Sequence, residues 1–368
     1  MSKRYLYSDD FYKDFGEQPE LLEINIGQHL LPLVEGDNKK GPLLKAIQEV
    51  RNKCDAEFGL LLPKIRIRDS MWIEPDEYAI ILSGNEVAKG TVKIGCYHCI
   101  DTGSVRTPIE NNLWEKTKEP AFGMDAYIIP ESEKEKFRDA GYLFVPPENV
   151  IREHFYQIIR ANITKILNQS MVNELVEKVR NINPDVITDV FISKRFSISN
   201  MKIVLNRLLE EGISIRDMNT ILETVADYLD EVKKPLVLAE KVRERLAAGF
   251  LKDYAEDGKN LHVFRLPLNI SNTLVDKLYY PESKIDKPYL ALDPADRKKL
   301  IDAISKCCSW FTEHELTPVF ICVSNLRLSF ADFVHGYMPD AYVISDLEMY
   351  AAKDLVTVTV EGEVEVDD

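Results

Sequence analysis

Long hydrophobic runs are missing from this sequence of 368 residues. The longest apolar stretches, such as residues 59–63 and 78–82, fall far short of the roughly 20 residues that a membrane-spanning helix needs. The N-terminal stretch MSKRYLYSDDFYKDF is too polar for a signal peptide. We therefore expect a soluble, cytoplasmic chain.

Cysteine is sparse, and the glycine-rich loops that bind nucleotides are absent. Without a secretory signal, the six cysteines predict buried free thiols rather than a disulfide framework. No G-x-x-x-x-G-K-[ST] or G-x-G-x-x-G motif is present, and the histidines show no H-x-x-x-H spacing. We therefore expect no cofactor, no metal site and no catalytic residues.

Positive charge is also in deficit. Against 61 acidic residues there are 46 lysines and arginines, which gives a formal net charge of -15. Because neutralising phosphates requires a concentrated basic surface, this balance argues against a nucleic-acid partner. It favours basic or polar protein partners instead.

The hydrophobic periodicity indicates a multidomain α/β protein. Its first α/β domain carries a small α/β insertion, and an all-helical third domain and an α/β C-terminal domain follow. The predicted boundaries are a linker at 1–20, the first domain at 21–97 plus 147–166, the insertion at 98–146, the helical domain at 167–247, the C-terminal domain at 248–360 and an acidic tail at 361–368.

Several local patterns predict individual elements. Residues 21–34 alternate as a strand does, and two apolar runs joined across 83–85 indicate a β-hairpin over 78–82 and 87–94. Ser199 is predicted to cap a helix, Ser214 with Asp217 to form a capping box, and Asp293 to cap a long helix ending near residue 312.

The sequence Cys96-Tyr97-His98-Cys99 contains a C-x-x-C motif, which can hold zinc or form a redox disulfide. A structural zinc site needs four ligands, and no second pair follows at a suitable spacing. A redox pair of the thioredoxin type lies at a helix N-terminus, whereas this pair follows a strand pattern. Buried strand cysteines are the favoured interpretation, with a cysteine-dependent redox enzyme as the alternative.

The segment Glu119-Pro120-Ala121-Phe122-Gly123-Met124 places an aromatic residue between proline and glycine, just before a predicted strand. Two interpretations are open. Phe122 fills the core of the small domain, or it lines a groove between domains and anchors a protein ligand, as aromatic residues do at interfaces.

Seven stretches together resemble the C-terminal cytoplasmic region of the bacterial type III export-gate (FHIPEP) family of flagella and injectisomes. Their order and spacing across residues 21–349 carry the resemblance. They are LLEINIGQHLLPLV, GPLLKAIQEVR, LPKIRIRDSMWIEPDEYAIILSGNEVAKG, KEPAFGMDAYII, GYLFVPPENVIREH, VLNRLLEEGISIRDMNTILETVADY and AYVISDLEM.

The resemblance implies a docking platform that is not an enzyme. It would capture export chaperone–substrate complexes and pass the substrates to a membrane channel, which this chain does not encode. It also implies self-association into a ring, nonameric in the family, with residues 1–20 packing on the neighbouring subunit. Components of the export ATPase complex and other export-gate proteins are further implied partners. A free-standing paralogue that acts as a structural or regulatory interaction protein is the alternative.

The resemblance further implies a chaperone-docking dimple between the first two subdomains, built in the family around D-P-A-F and a threonine that precedes a histidine. The matching and adjoining positions are Glu119, Pro120, Phe122, Met124, Glu153 and His154. Glutamate replaces the family's aspartate at 119 and its threonine at 153. We therefore expect an acidic rim that prefers basic chaperones, because like charges repel.

Overall fold

The computed structural model describes residues 19–35, 41–106, 114–283 and 287–366. The chain divides into two compact units, Met1–Ile166 and Leu167–Asp368. The predicted linker lies outside the described residues except for its last two positions. Among the described residues, none of the helices combines the length and the apolar character that crossing a bilayer requires.

The N-terminal unit contains two sheets and the helices that accompany them. In chain order its strands and helices are β1 (Leu22–Ile26), α1 (Pro42–Phe58), β2 (Ile65–Asp69), β3 (Glu77–Leu82), β4 (Asn85–Thr91), β5 (Cys96–Ile100), β6 (Glu115–Lys118), β7 (Asp125–Pro130), α2 (Lys134–Phe137), β8 (Leu143–Val145), α3 (Pro147–Ala161) and α4 (Ile163–Ile166).

The first sheet has the strand order β2-β1-β3-β4, with β1 parallel to β2 and antiparallel to β3. The predicted hairpin is confirmed, and its turn uses positive φ angles at Ser83 and Gly84, as tight hairpin turns require. Its second strand is β4, which begins and ends earlier than predicted.

The strand predicted over residues 21–34 is correct only for its first part. After β1 the chain forms a 3-10 helix, Gln28–Leu33, whose buried residues Leu30 and Leu33 are three positions apart. Pro32 has no N–H to donate to a sheet, and a three-residue period puts both leucines on one face.

The second sheet is antiparallel and has the strand order β6-β7-β5-β8. The predicted domain boundary at residue 97 falls inside β5, which pairs with β7 and β8. Residues 131–140 form two 3-10 turns, Glu131–Glu133 and Arg138–Ala140, on either side of α2. Cys99, Ile129 and Tyr142 form the buried cluster of this sheet.

The C-terminal unit begins with helices and ends with a sheet. In chain order its elements are α5 (Gln169–Arg180), α6 (Pro184–Ile187), α7 (Ile198–Glu210), α8 (Met218–Tyr228), α9 (Pro235–Tyr254), β9 (Asn260–Arg265), α10 (Leu268–Asp276), β10 (Leu278–Tyr279), β11 (Tyr289–Leu290), α11 (Pro294–Glu313), β12 (Val319–Cys322), α12 (Ser324–His335), β13 (Tyr342–Ser345), α13 (Asp346–Ala351) and β14 (Thr357–Glu363).

The helix caps of this unit differ in part from the prediction. Ser197, not Ser199, caps α7, because its hydroxyl accepts from the backbone N–H of Asn200. Asp217 is itself the cap of α8 rather than the second member of a capping box. Asp293 caps α11 as predicted, and its carboxylate accepts from two backbone N–H groups.

The C-terminal sheet is parallel and has the strand order β13-β12-β9-β14. Pairing with β9 carries β14 to Glu363, three residues into the predicted acidic tail. The next residue, Val364, is fully buried in the core of this sheet. The predicted α/β architecture with a helical domain is confirmed.

Candidate functional site

Phe122 lies in a six-residue loop, 119–124, that joins β6 to β7. The loop is closed by a hydrogen bond from the Glu119 backbone N–H to the Met124 carbonyl and by one from the Gly123 N–H to the Glu119 carbonyl, each 2.8 Å long. Gly123 has a φ of 72°, which glycine adopts without strain. Lys118 adds a bond from its Nζ to the Gly123 carbonyl. The loop therefore has a defined backbone path.

The Glu119 carboxylate stabilises the same loop from within. Its Oε1 accepts from the Ala121 N–H and its Oε2 from the Phe122 N–H, each at 2.8 Å. Only 3% of the residue is exposed. The expectation that Glu119 contributes to an acidic rim is therefore wrong, because both carboxylate oxygens face the backbone of their own loop.

The Phe122 ring is directed away from the core. The residue is 59% exposed, whereas Pro120 and Met124 beside it are half-buried. The interpretation of Phe122 as a core residue of the small domain is wrong, since other side chains fill that core. An exposed phenylalanine on an ordered loop is available for contact with another molecule.

His154, on α3, belongs to the buried interior next to this loop. Its Nδ1 lies 2.8 Å from the Tyr78 hydroxyl on β3, and the two rings meet edge to face. Burial lowers the pKa of His154 and raises the pKa of Tyr78, and the nearby Glu119 carboxylate adds to the second effect. His154 is therefore a neutral, enclosed residue that supports the site rather than a surface contact.

Glu153 lies in the groove between α1 and α3. The groove has a volume of about 250 Å³ and also contains two basic residues, Lys53 and Arg152. The Arg152 guanidinium donates to Glu49 at 2.8 Å, and the Lys53 ammonium lies 3.5 Å from the centre of the Tyr156 ring. The Glu153 Oε1 accepts from Gln157 at 2.9 Å. Of the two carboxylates expected on the acidic rim, Glu153 is half-buried and Glu119 is buried.

Sequence reasoning missed an exposed apolar pair, Met71 and Trp72, in the loop between β2 and β3. They are 95% and 66% exposed. The loop is anchored to the last residue of β1, because the Ser70 N–H donates to the Ile26 carbonyl at 2.9 Å. The available signal was two large apolar residues inside a turn between strands, where polar residues are usual.

The C-x-x-C motif lies in β5, where Cys99 is fully buried and Cys96 half-buried. Residues three apart in a strand point to opposite faces, so the two thiols do not face each other. Burial raises the pKa of Cys99 to about 12 and also raises that of Cys96. The prediction of strand cysteines is confirmed. In the described part of the chain, no group of three His, Cys, Asp or Glu residues could hold a metal ion.

Comparison with known proteins identifies relatives along almost the whole chain. The flagellar biosynthesis protein FlhA of Treponema pallidum is 32% identical over 310 residues, which cover 83% of this chain and 42% of that protein. The Chlamydia pneumoniae CdsV protein superposes with a TM-score of 0.77 at 20% identity, covering 96% of this chain and 99% of that one. The nonameric EPEC SctV-C has a TM-score of 0.69 at 18% identity, with coverages of 94% and 98%.

These comparisons bear on the family and on the extent of the chain. The chain spans about half the length of the curated relatives it matches. The model of the FHIPEP family matches residues 11–354, which extend over most of both compact units. The resemblance drawn from the seven sequence stretches is thereby confirmed, and the chain belongs to the FHIPEP family.

Proposed function

We propose that this chain is a docking platform of a type III protein export gate. It binds export chaperone–substrate complexes, hands the substrates to a membrane channel and catalyses no reaction. The observation that carries the proposal is the exposed Phe122 ring on a loop fixed by backbone and carboxylate hydrogen bonds.

Assembly into a ring on the cytoplasmic face of the membrane is part of the same proposal. It is supported by the fold shared with the nonameric EPEC SctV-C and by the flagellar relatives. Components of the export ATPase complex and other export-gate proteins are the further partners that we propose. The thiols of the half-buried Cys96 and the fully buried Cys99 point to opposite faces of β5, which favours this function over a redox enzyme.

An aromatic side chain is effective in such a role because it combines a large apolar area with few rotatable bonds. A partner that encloses the Phe122 ring removes its apolar surface from water. At interface hot spots, removal of such a residue costs about 2 kcal/mol or more.

The preference for basic partners now depends on Glu153, whose groove also contains Lys53 and Arg152.

The test is a calorimetric titration of this chain with a flagellar export chaperone bound to its substrate. Replacing Phe122 with alanine should weaken binding by about 30-fold or more, which corresponds to about 2 kcal/mol. Leu143→Ala is the matched control, since Leu143 is also about half exposed and lies in the same sheet. Equal affinity of Phe122→Ala and the unchanged protein would contradict docking at this loop.

A further inference from the structure

We call residues 119–124 the docking loop, and we infer that Glu119 is a positioning residue of this loop. It fixes the conformation in which Phe122 is presented, and it makes no contact with the partner. The inference rests on the proposed docking at Phe122. It assigns to the carboxylate a role in the free protein rather than in the interface.

The two oxygens of the Glu119 carboxylate bond to two different backbone N–H groups of the docking loop. Each oxygen of Glu119 accepts one backbone N–H of the loop, Oε1 from Ala121 and Oε2 from Phe122. Hydrogen bonds to a charged acceptor are stronger than those between neutral groups. Since the residue is 3% exposed, a protein that covers Phe122 finds little of the carboxylate to contact.

The carboxylate bonds restrain the middle of the docking loop, whereas the backbone bonds close its ends. The backbone bonds between Glu119 and Met124 and between Gly123 and Glu119 close the two ends of the loop. The carboxylate bonds lie between those ends, at Ala121 and at Phe122 itself. Glu119 therefore restrains the part of the backbone from which the exposed ring projects.

A restrained loop binds more tightly because less conformational entropy is lost on association. A phenylalanine that is already held in solvent does not have to be ordered by the partner. The chemistry required of residue 119 is a carboxylate that reaches backbone N–H groups two and three positions ahead. Aspartate side chains commonly make such bonds, so Glu119→Asp should preserve the loop.

The first experiment needs no partner. Amide hydrogen exchange of the full chain, followed by NMR, should show slow exchange at Ala121 and Phe122. In Glu119→Gln one of the two acceptor oxygens becomes an amide nitrogen that cannot accept, so exchange at one of these N–H groups should accelerate by about tenfold. In Glu119→Asp the N–H groups of Ala121 and Phe122 should still exchange slowly. The same is expected in Glu135→Gln, which changes an exposed carboxylate of the same inserted segment. Unaltered exchange in Glu119→Gln would overturn the inference.

The second experiment is a double-mutant cycle with the same chaperone–substrate complex. We expect Glu119→Gln to weaken binding about tenfold, Glu119→Asp to restore it, and Glu119→Gln to have no further effect when Phe122 is already alanine. Additive losses would mean that Glu119 contacts the partner itself, and normal binding by Glu119→Gln would mean that the restraint is unimportant. Both results would overturn the inference. Normal binding by Phe122→Ala would instead reject the docking proposal, while the exchange data would still decide whether Glu119 orders the loop.

Discussion

Glu211, the residue that follows α7, faces three guanidinium groups in the interior of the C-terminal unit. It is 7% exposed, and Arg207, Arg243 and Arg327 are each 2% exposed or less. Arg327 donates to both carboxylate oxygens, at 2.7 and 3.1 Å, and Arg243 donates to one of them at 2.5 Å. Arg207 forms a further ion pair with this carboxylate. One carboxylate thus forms ion pairs with arginines from three helices, α7, α9 and α12.

Replacing Glu211 with glutamine keeps the shape of the side chain and removes the charge. Breaking a buried ion pair from one side costs about 3–5 kcal/mol, because the remaining charges stay buried without compensation. Glutamine retains one acceptor oxygen, and Glu240 and Glu348 still pair with Arg327 and Arg243. We therefore expect the free energy of unfolding to fall by about 3 kcal/mol, the lower end of that range.

The decrease in the free energy of unfolding caused by Glu211→Gln should depend on pH. Burial alone would raise the pKa of Glu211, but attraction to the three arginines outweighs it and holds this pKa well below the ordinary 4.5. A lowered pKa in the folded state gives stability that is fully present above the unfolded-state value and is lost as pH falls towards the folded-state value. The difference between wild type and Glu211→Gln should therefore be constant near neutral pH and shrink below about pH 4.5.

The measurement is urea unfolding followed by the fluorescence of Trp310, in a background with Trp72 and Trp114 replaced by phenylalanine. Trp310 then reports on the C-terminal unit alone, since the other two tryptophans lie in the N-terminal unit. Glu210→Gln is the matched control: Glu210 also pairs with Arg207 but has a 36% exposed side chain, so its loss should cost less than about 1 kcal/mol. A similarly small loss for Glu211→Gln, or a loss that does not shrink in acid, would show that the buried ion pairs of Glu211 do not stabilise this unit.

Two further predictions concern the N-terminal unit. Tyr78→Phe removes the hydroxyl that bonds to His154 and leaves a buried ring nitrogen unpaired, so unfolding in urea should show a loss of about 1–3 kcal/mol. An unchanged unfolding midpoint would show that the bond contributes nothing. Because burial raises the pKa of Cys99 to about 12, its thiol should resist a disulfide reagent at pH 8 in the native protein and react fully in guanidinium. Prompt reaction of the native thiol would revive the redox alternative.

Local rules were sufficient where neighbours along the chain decide the conformation. The hairpin turn at 83–85 and the cap at Asp293 were predicted from a few adjacent residues, since their hydrogen bonds connect positions close in sequence. The same rules failed where several candidates compete. Ser197 and Ser199 are both suitable caps for α7, and the helix uses the first of them.

Long-range pairing decided features that no local pattern indicates. The end of β14 at Glu363 depends on β9, almost 100 residues earlier in the chain, and the acidic composition of 361–368 gave no sign of that pairing. The change from strand to 3-10 helix after Ile26 accompanies a bond from the Gly27 N–H to the Glu77 carbonyl of the neighbouring strand.

The docking loop shows the same division most clearly. The family, the position of Phe122 near proline and glycine, and the carboxylate at Glu119 all follow from the order of the residues alone. It left the ring either in the core or at the surface, and it placed the carboxylate on a rim. The folded chain places the ring in solvent and turns the carboxylate towards its own backbone, because burial depends on which distant residues already fill the space between the strands.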